Sequence, residues 1–218
     1  MIPKIIHQTY KNYELPETFL GCQQQIKALH PEFEYRFYTD QDIDIYIKTN
    51  FPDYYEAFNE LPRKIMKIDM FRYFLMYKDG GLYADMDYYM FRRFDLLDFP
   101  VVIPCNRETN GVPECLGNCI FASEPNNAFW KTLIDTLFIT DRTIAFKSKD
   151  DVLSSTGPGF VYKMWLKYRH KENIYIPKRS LFHPATKIEE AYFKMLQSQN
   201  VYGIHLCTGL WLKPDTDL

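Results

Sequence analysis

An α/β fold with a largely parallel sheet is what the order of this sequence predicts. Three observations carry it. Strand-like and helix-like segments alternate along the chain. Residues 62–79 form an apolar block bounded by Pro62 and Gly80-Gly81. The short strand after that block ends in the carboxylates Asp85 and Asp87. In such sheets ligands bind beyond the carboxyl ends of the strands, and both Asp85 and His205 fall at expected strand ends. At 218 residues, the chain reads as one domain, 1–218, large enough for a substantial core.

The elements follow in order. Residues 2–8 read as the first strand and 16–29 as a helix stopped by His30-Pro31. An aromatic-rich strand is expected at 34–38, then a helix capped by Thr39-Asp40 and running to 47. A short helix follows Pro52. Pro62 fits the first turn of the next helix, where its missing N–H costs nothing, and Gly80-Gly81 fits its C-cap. Between them the residues are apolar nearly all round, which marks a buried helix. The strand closing at Asp85 comes next, then strands at 101–104 and 118–122. Helices at 127–138 and 160–168, a short strand at 174–176, a helix at 188–197 and a last strand at 201–205 complete the pattern.

A formal net charge of -2 argues against a general nucleic-acid binder. The 17 Tyr and 17 Phe are read mainly as core and core-edge residues. The basic run Lys163, Lys167, Arg169, His170 and Lys171 is read as a solvated helix face. The five cysteines, Cys22, Cys105, Cys115, Cys119 and Cys207, have no second pair at zinc spacing and read as free thiols. There is no signal peptide and no run of about 18 apolar residues. A cytoplasmic or membrane-peripheral place is therefore expected, and a lumenal one only if an anchor has been removed.

Strand alternation points residues i and i+2 to one face, so Asp85 and Asp87 are expected to meet one partner. A divalent cation carrying phosphate oxygens suits that role, because it takes oxygen ligands and often only one or two carboxylates. The other reading is a polar turn between two strands. Asp69 and Arg72 stand at i and i+3, neighbours on one helix face. They read either as a buried ion pair that serves packing or as groups facing a polar ligand at the end of the sheet.

Residues 67–87 contain, in order, Asp69-x-x-Arg72, Gly80-Gly81 and Asp85-x-Asp87. This resembles the signature of glycosyltransferase family 32, the transferases with a sugar-binding DXD motif, which include α-1,6-mannosyltransferases and α-1,4-glycosyltransferases. Clostridial glucosylating toxins share the core pattern. Residues 2–10 resemble the opening strand of that family, Thr156-Gly157-Pro158 its Thr-Gly-Pro loop, and His205 with Trp211 its C-terminal His…Trp element.

The resemblance implies the GT-A fold, a Rossmann-like, mostly parallel sheet flanked by helices. It also implies a metal-dependent, retaining glycosyltransferase that uses a nucleotide diphosphosugar, UDP- or GDP-linked, with Mn²⁺ or Mg²⁺ as cofactor. The acceptor would be a hydroxyl of a glycan, lipid or protein. On this reading Asp87 binds the metal directly and Asp85 holds ribose or sugar hydroxyls or the metal through water. His205 completes the metal site. Asp69 and Arg72 grip the donor sugar. Gln8 and Thr9 hydrogen-bond the base or ribose and Asn118 holds a sugar hydroxyl. Tyr10 either stacks on the base or is a strand-edge aromatic. Gly157-Pro158-Gly159 forms a turn at a helix start that either offers backbone N–H groups to acceptor or phosphate or is an ordinary helix entry. Trp211 and Lys213 close over the diphosphate. His7 is read as a core histidine. A nucleotide-sugar hydrolase, or a non-catalytic nucleotide- or carbohydrate-binding module on the same fold, are the alternatives.

Overall fold

β1 (Ile5–Thr9) begins later than the expected strand at residues 2–8. Pro3 has no N–H for a ladder, and regular pairing starts only beyond it. The computed structural model describes residues 1–138, 148–184 and 188–209. α1 (Glu17–Leu29), β2 (Glu34–Tyr38), α2 (Asp40–Asn50) and α3 (Pro52–Asn59) follow. Thr39 opens α2 with a reciprocal capping box to Asp42.

α4 (Lys64–Lys78) is the buried helix. It starts after Pro62, not at it, because Arg63 is an extended N-cap with φ -137° and ψ 141°. The buried Leu61 side chain pins the chain at this junction, and its N–H bonds Phe58 O at 3.3 Å. The other end of α4 behaves as the sequence predicts. Gly80 has φ +66° and gives its N–H to Leu75 O at 3.1 Å. A Cβ on Gly80 would lie 2.6 Å from Ser123 O, so a side chain there is excluded by space as well as by backbone angle.

β3 (Gly81–Ala84) and β4 (Tyr88–Met90) come next, then β5 (Val101–Val102). β6 (Cys105–Thr109) and β7 (Val112–Leu116) form a hairpin that the sequence reading did not include. Its turn is Asn110-Gly111, both with positive φ (53° and 78°), the conformation that suits a two-residue hairpin loop. The remaining elements are β8 (Ile120–Ser123), α5 (Ala128–Phe138), α6 (Lys149–Ser155), α7 (Pro158–Lys167), β9 (Ile174–Tyr175), α8 (Arg179–Phe182), α9 (Ile188–Ser198) and β10 (Gly203–His205). Asn118 thus precedes its strand, where the sequence reading placed it as the first strand residue.

The central sheet has the order β2-β1-β3-β8-β5-β9. β1 is parallel to β2 and β3, β8 is antiparallel to β3 and β5, and β5 is parallel to β9. All strands but β8 therefore run one way. Alternation divides the core. Tyr83, Phe121 and Val101 face the helices α2–α5 and α7, while Leu82, Ala84, Ile120, Ala122 and Val102 face the side that holds Ile26 of α1 and Phe182 of α8. The connections leave β1 toward β2 on one side and reach β3 on the other, so the crevice beyond the carboxyl ends of β1 and β3 is a topological switch point. A separate two-stranded ladder of β4 and β10 pairs His205 with Tyr88. No helix among the described residues is long and apolar enough to cross a membrane.

Candidate functional site

The carboxylates at the end of β3 meet one partner, but not by strand alternation. The strand stops at Ala84. Asp85 N–H is held by Cys119 O at 2.7 Å, and Tyr88 N–H bonds Asp85 O at 3.0 Å, which closes a tight turn over Asp85-Met86-Asp87. This is the polar turn between two strands, and the turn itself gathers the side chains. Ligand atoms of Asp85, Asp87 and His205 lie within 4.8 Å of one another. His205 Nε2 is 2.9 Å from Asp87 Oδ1 and 3.8 Å from Asp85 Oδ2. It arrives there because β10 pairs with β4, the strand that follows the turn.

Each carboxylate is also held from behind. Asp85 Oδ1 accepts from Tyr83 Oη at 2.8 Å and faces Arg72 Nη2 at 3.3 Å. Asp87 Oδ2 accepts from Thr208 N at 3.0 Å and Thr208 Oγ1 at 2.8 Å. Burial pushes the Asp85 carboxyl upward, Arg72 opposes the shift, and the neighbouring Asp87 charge adds to it. Burial acts on Asp87 too, but there His205 and the Thr208 donors outweigh it and bring the carboxyl to about 2. Burial disfavours a charged His205; the Cys119 sulfur and Asp87 outweigh that and hold the imidazole well above its ordinary value. Two carboxylate oxygens and an imidazole nitrogen, converging at one spot, form a donor set that fits a divalent cation.

Asp69 and Arg72 lie on the inner side of this cluster, on the buried face of α4, 3% and 6% exposed. Arg72 Nη1 is 3.5 Å from Asp69 Oδ1 and donates to Asn118 O at 2.5 Å, while its other arm reaches Asp85. Its guanidinium lies 5.0 Å over the Tyr83 ring, and Nε has no partner. Asp69 accepts from Asn118 Nδ2 at 2.8 Å and Thr156 Oγ1 at 3.0 Å. Burial raises the Asp69 carboxyl to about 6 against the pull of Arg72. Burial opposes charge on Arg72 too, and Asp85, Tyr83 and Asp69 outweigh it, so the guanidinium is more firmly protonated than usual. The two are therefore paired and buried, and Arg72 also reaches Asp85.

Gln8 and Thr9 brace the turn. Gln8 Nε2 donates to Asp85 O at 3.3 Å and Gln8 Oε1 accepts from Tyr35 Oη at 2.9 Å. Thr9 Oγ1 meets Tyr83 Oη at 3.2 Å. Tyr10 is half-buried, with its ring edge-on to Phe19 at 5.4 Å. Gly157 follows the ordinary helix-entry reading. Its N–H is already given to Val152 O at 3.0 Å, because it serves as the N-cap of α7 directly behind α6, and Pro158 has none. Trp211 and Lys213 lie outside the described residues. His7 is a core histidine, 2.9 Å from Gly80 O and 3.1 Å from Tyr38 Oη, and burial lowers it to about 3. All five cysteines are free, and Lys163, Lys167, Arg169 and His170 are exposed.

Thr156, Tyr83 and Thr208 are the site residues that sequence reasoning passed over. Thr156 stood in the Thr-Gly-Pro loop beside the residue that was singled out. Tyr83 and Thr208 each lie within a few residues of a carboxylate or histidine that could hold a cation, and hydroxyl side chains there are the signal that could have found them.

The profile of the family described as the glycosyltransferase sugar-binding region containing the DXD motif matches residues 16–103. The chain is 34% identical to inositol phosphoceramide mannosyltransferase 2 of Schizosaccharomyces pombe over 78% of its own length and 48% of that protein. It is 33% identical to mannosyl phosphorylinositol ceramide synthase CSH1 of Saccharomyces cerevisiae over 79% of its length and 45% of that protein. The chain thus spans about half the length of the curated relatives it matches. Among solved structures, a chain described as PaToxG glycosyltransferase superposes with a TM-score of 0.57 at 16% identity, covering 92% of this chain and 79% of that one. The fold is of the GT-A type, as the family resemblance implied. The DXD turn, the Gly80-Gly81 stop and Asp69-x-x-Arg72 all lie within residues 16–103, the segment that matches the glycosyltransferase sugar-binding region containing the DXD motif.

Proposed function

We propose that residues 1–218 form one catalytic domain that transfers a hexosyl group from a nucleotide diphosphosugar to an acceptor hydroxyl. The observation that carries this reading is the convergence of Asp85, Asp87 and His205 at the switch point, bonded through Arg72 to Asp69. The relatives' names support mannose as the sugar and an inositol phosphoceramide lipid as the acceptor. A Mn²⁺ or Mg²⁺ ion held by Asp87, Asp85 and His205 would supply Lewis-acid stabilisation of the diphosphate as it leaves. Arg72 keeps a fixed positive charge beside Asp85, and Asn118 and Thr156 fix the Asp69 carboxylate behind it.

The family resemblance implies retention at the anomeric carbon. In a front-face path, the bond from that carbon to the diphosphate oxygen breaks as the bond to the acceptor oxygen forms. The departing phosphate takes the acceptor proton. Double displacement would need a carboxylate on the far face of the sugar, and the three carboxylates of this site are each committed to Arg72, His205, Thr208 or Asn118.

The test is donor turnover with GDP-mannose, UDP-glucose and UDP-galactose, each with Mn²⁺, with and without an inositol phosphoceramide acceptor. The proposal expects turnover of one donor that accelerates with acceptor and yields a mannosylated lipid. Acceptor-independent release of free sugar would identify a hydrolase. Metal-dependent nucleotide binding with no turnover in any arm would identify a binding module.

A further inference from the structure

Both carboxylates of the candidate metal centre have one oxygen committed and one exposed to the centre. Asp85 Oδ1 is held by Tyr83 Oη at 2.8 Å and by Arg72 Nη2 at 3.3 Å, which leaves Oδ2 on the side of His205. Asp87 Oδ2 takes two hydrogen bonds from a single residue, Thr208, through its backbone N–H and its hydroxyl, which leaves Oδ1 facing His205 Nε2. The chain reaches this position by a sharp turn. Leu206 N–H bonds Asp87 O at 2.9 Å, and Cys207 then takes φ +51°, the left-handed conformation unusual for a residue with a side chain. That reversal brings the Thr208 N–H and hydroxyl back onto the same oxygen.

A carboxylate with one oxygen so occupied offers a cation the other oxygen alone. Ca²⁺ takes about 6–8 oxygen ligands at roughly 2.3–2.6 Å and commonly uses both oxygens of a carboxylate. Smaller octahedral ions accept single-oxygen carboxylates and fill the remaining positions with water or phosphate. Asp85, Asp87 and His205 would then supply one ligand atom each, which is a complete protein contribution for the smaller ion and a poor one for Ca²⁺.

We propose that Thr208 is a positioning residue that sets metal selectivity. By holding Asp87 Oδ2 it restricts Asp87 to single-oxygen ligation and favours a Mn²⁺-sized cation over Ca²⁺. The inference rests on the metal-dependent reading above, and it concerns which ion is taken rather than whether one is.

The experiment follows free Mn²⁺ by electron paramagnetic resonance during titration of the protein, then measures displacement of bound Mn²⁺ by Ca²⁺. Wild type, Thr208→Val, Thr208→Ser and Asp87→Asn are compared. Thr208 is exposed, so its substitution does not disturb a packed core. Thr208→Val keeps the backbone N–H on Asp87 Oδ2 and removes the hydroxyl, the shorter of the two bonds. The ratio of Ca²⁺ to Mn²⁺ affinity should therefore rise about tenfold, the scale of that one charge-assisted hydrogen bond. Thr208→Ser should restore the wild-type ratio, since it keeps the hydroxyl. Asp87→Asn should lose Mn²⁺. Mn²⁺ binding with an unchanged ratio in Thr208→Val overturns the proposal and leaves the metal reading standing. An equal weakening of both ions in that variant also overturns it, because Thr208 would then support affinity alone. No Mn²⁺ binding by the wild type overturns the metal reading and this inference together.

Discussion

Asp69 and Asp87 are the same side chain in two settings, and their carboxyls move in opposite directions. Asp69 sits on the buried face of α4 with two neutral donors, Asn118 and Thr156, and Arg72 at 3.5 Å. Burial wins there and the carboxyl rises to about 6. Asp87 lies in a turn with His205 at 2.9 Å and two donors from Thr208, and these overcome its burial and take it to about 2. Both are hydrogen-bonded, but the donors differ. The hydrogen bond from His205 is the largest influence favouring the ionised Asp87, with two more from Thr208. Asp69 instead has Arg72 at 3.5 Å, two neutral donors and the opposing charge of Asp85. The inner carboxylate is arranged as a rigid support, and the outer one as a firmly ionised group facing His205.

The largest effect should come from the outer member. Asp87→Ala removes the carboxylate that pairs with His205 and faces the candidate cation. Transfer should fall by roughly 10²–10³-fold or more, the usual loss when one preorganised electrostatic contact is deleted, and Mn²⁺ dependence of nucleotide binding should vanish. Circular dichroism should be unchanged, since a turn residue carries little core packing. Near wild-type turnover in this variant would return Asp87 to the role of a polar turn residue.

Arg72→Ala attacks the link between the two settings. It strands Asp69, 4% exposed at its side chain, without its charge partner. Breaking a buried pair from one side costs about 3–5 kcal/mol, read by urea unfolding. Arg72→Ala combined with Asp69→Asn should recover part of that loss. If the double variant is no more stable than Arg72→Ala, the two side chains do not act as a pair.

The inner network was more legible in the sequence than the outer one, for a physical reason. Asp69 and Arg72 are three residues apart on a helix whose ends are marked by local chemistry, and helical spacing alone makes them neighbours. The alternation of elements and the Gly80 stop were equally local. The outer cluster depends on pairing β4 with β10, two three-residue strands far apart in the chain. Periodicity within a window carries no information on such pairing, and only the family resemblance placed His205 beside Asp87. The same blindness explains Thr208. Gly157 is a local case: its N–H goes to Val152 O at the end of α6, a short helix without a strong sequence signal. The β6–β7 hairpin was missed differently. Its Asn110-Gly111 turn was a readable signal, but the polar, partly exposed strands on either side lack the alternation that usually confirms it.

Titration separates the two carboxylates directly. The Asp69 carboxyl titrates at about 6 in the fold and near ~3.9 in the unfolded chain. Between these values the native state holds a proton that the unfolded state has lost, so this group's contribution to stability is full below the unfolded value and declines as pH rises through the folded one. The decline is on the order of 3 kcal/mol. Asp87 has the opposite sign: its contribution is present above ~3.9 and is lost as pH falls toward about 2. Urea midpoints measured at several values from pH 4 to pH 7 on wild type and Asp69→Asn should show the high-pH loss in wild type and a flatter profile in the variant. Parallel profiles would mean that burial does not raise Asp69.

The smallest expected effect is the sharpest test of why Asp69 rises at all. The Thr156 hydroxyl donates to Asp69 Oδ2 at 3.0 Å, and among the forces on this carboxyl it is one of those that favour the ionised form. Thr156→Val keeps the shape and removes the donor. The ionised carboxylate loses one of its few partners while its burial is unchanged, so its titration should move further up. The pH region where stability declines should shift upward by about one unit, since one hydrogen bond to a charged acceptor is worth roughly 1.5–3 kcal/mol before relaxation. Stability at pH 4.5, where the carboxyl is already largely protonated, should change less than at pH 7.5. The comparison with Asp87 makes the result specific: Thr156 does not touch the outer cluster, so Mn²⁺ affinity should stay at its wild-type value. A downward shift, or an equal loss of stability at both pH values, would show that Thr156 holds the loop before α7 in place and does not tune the carboxyl beneath it.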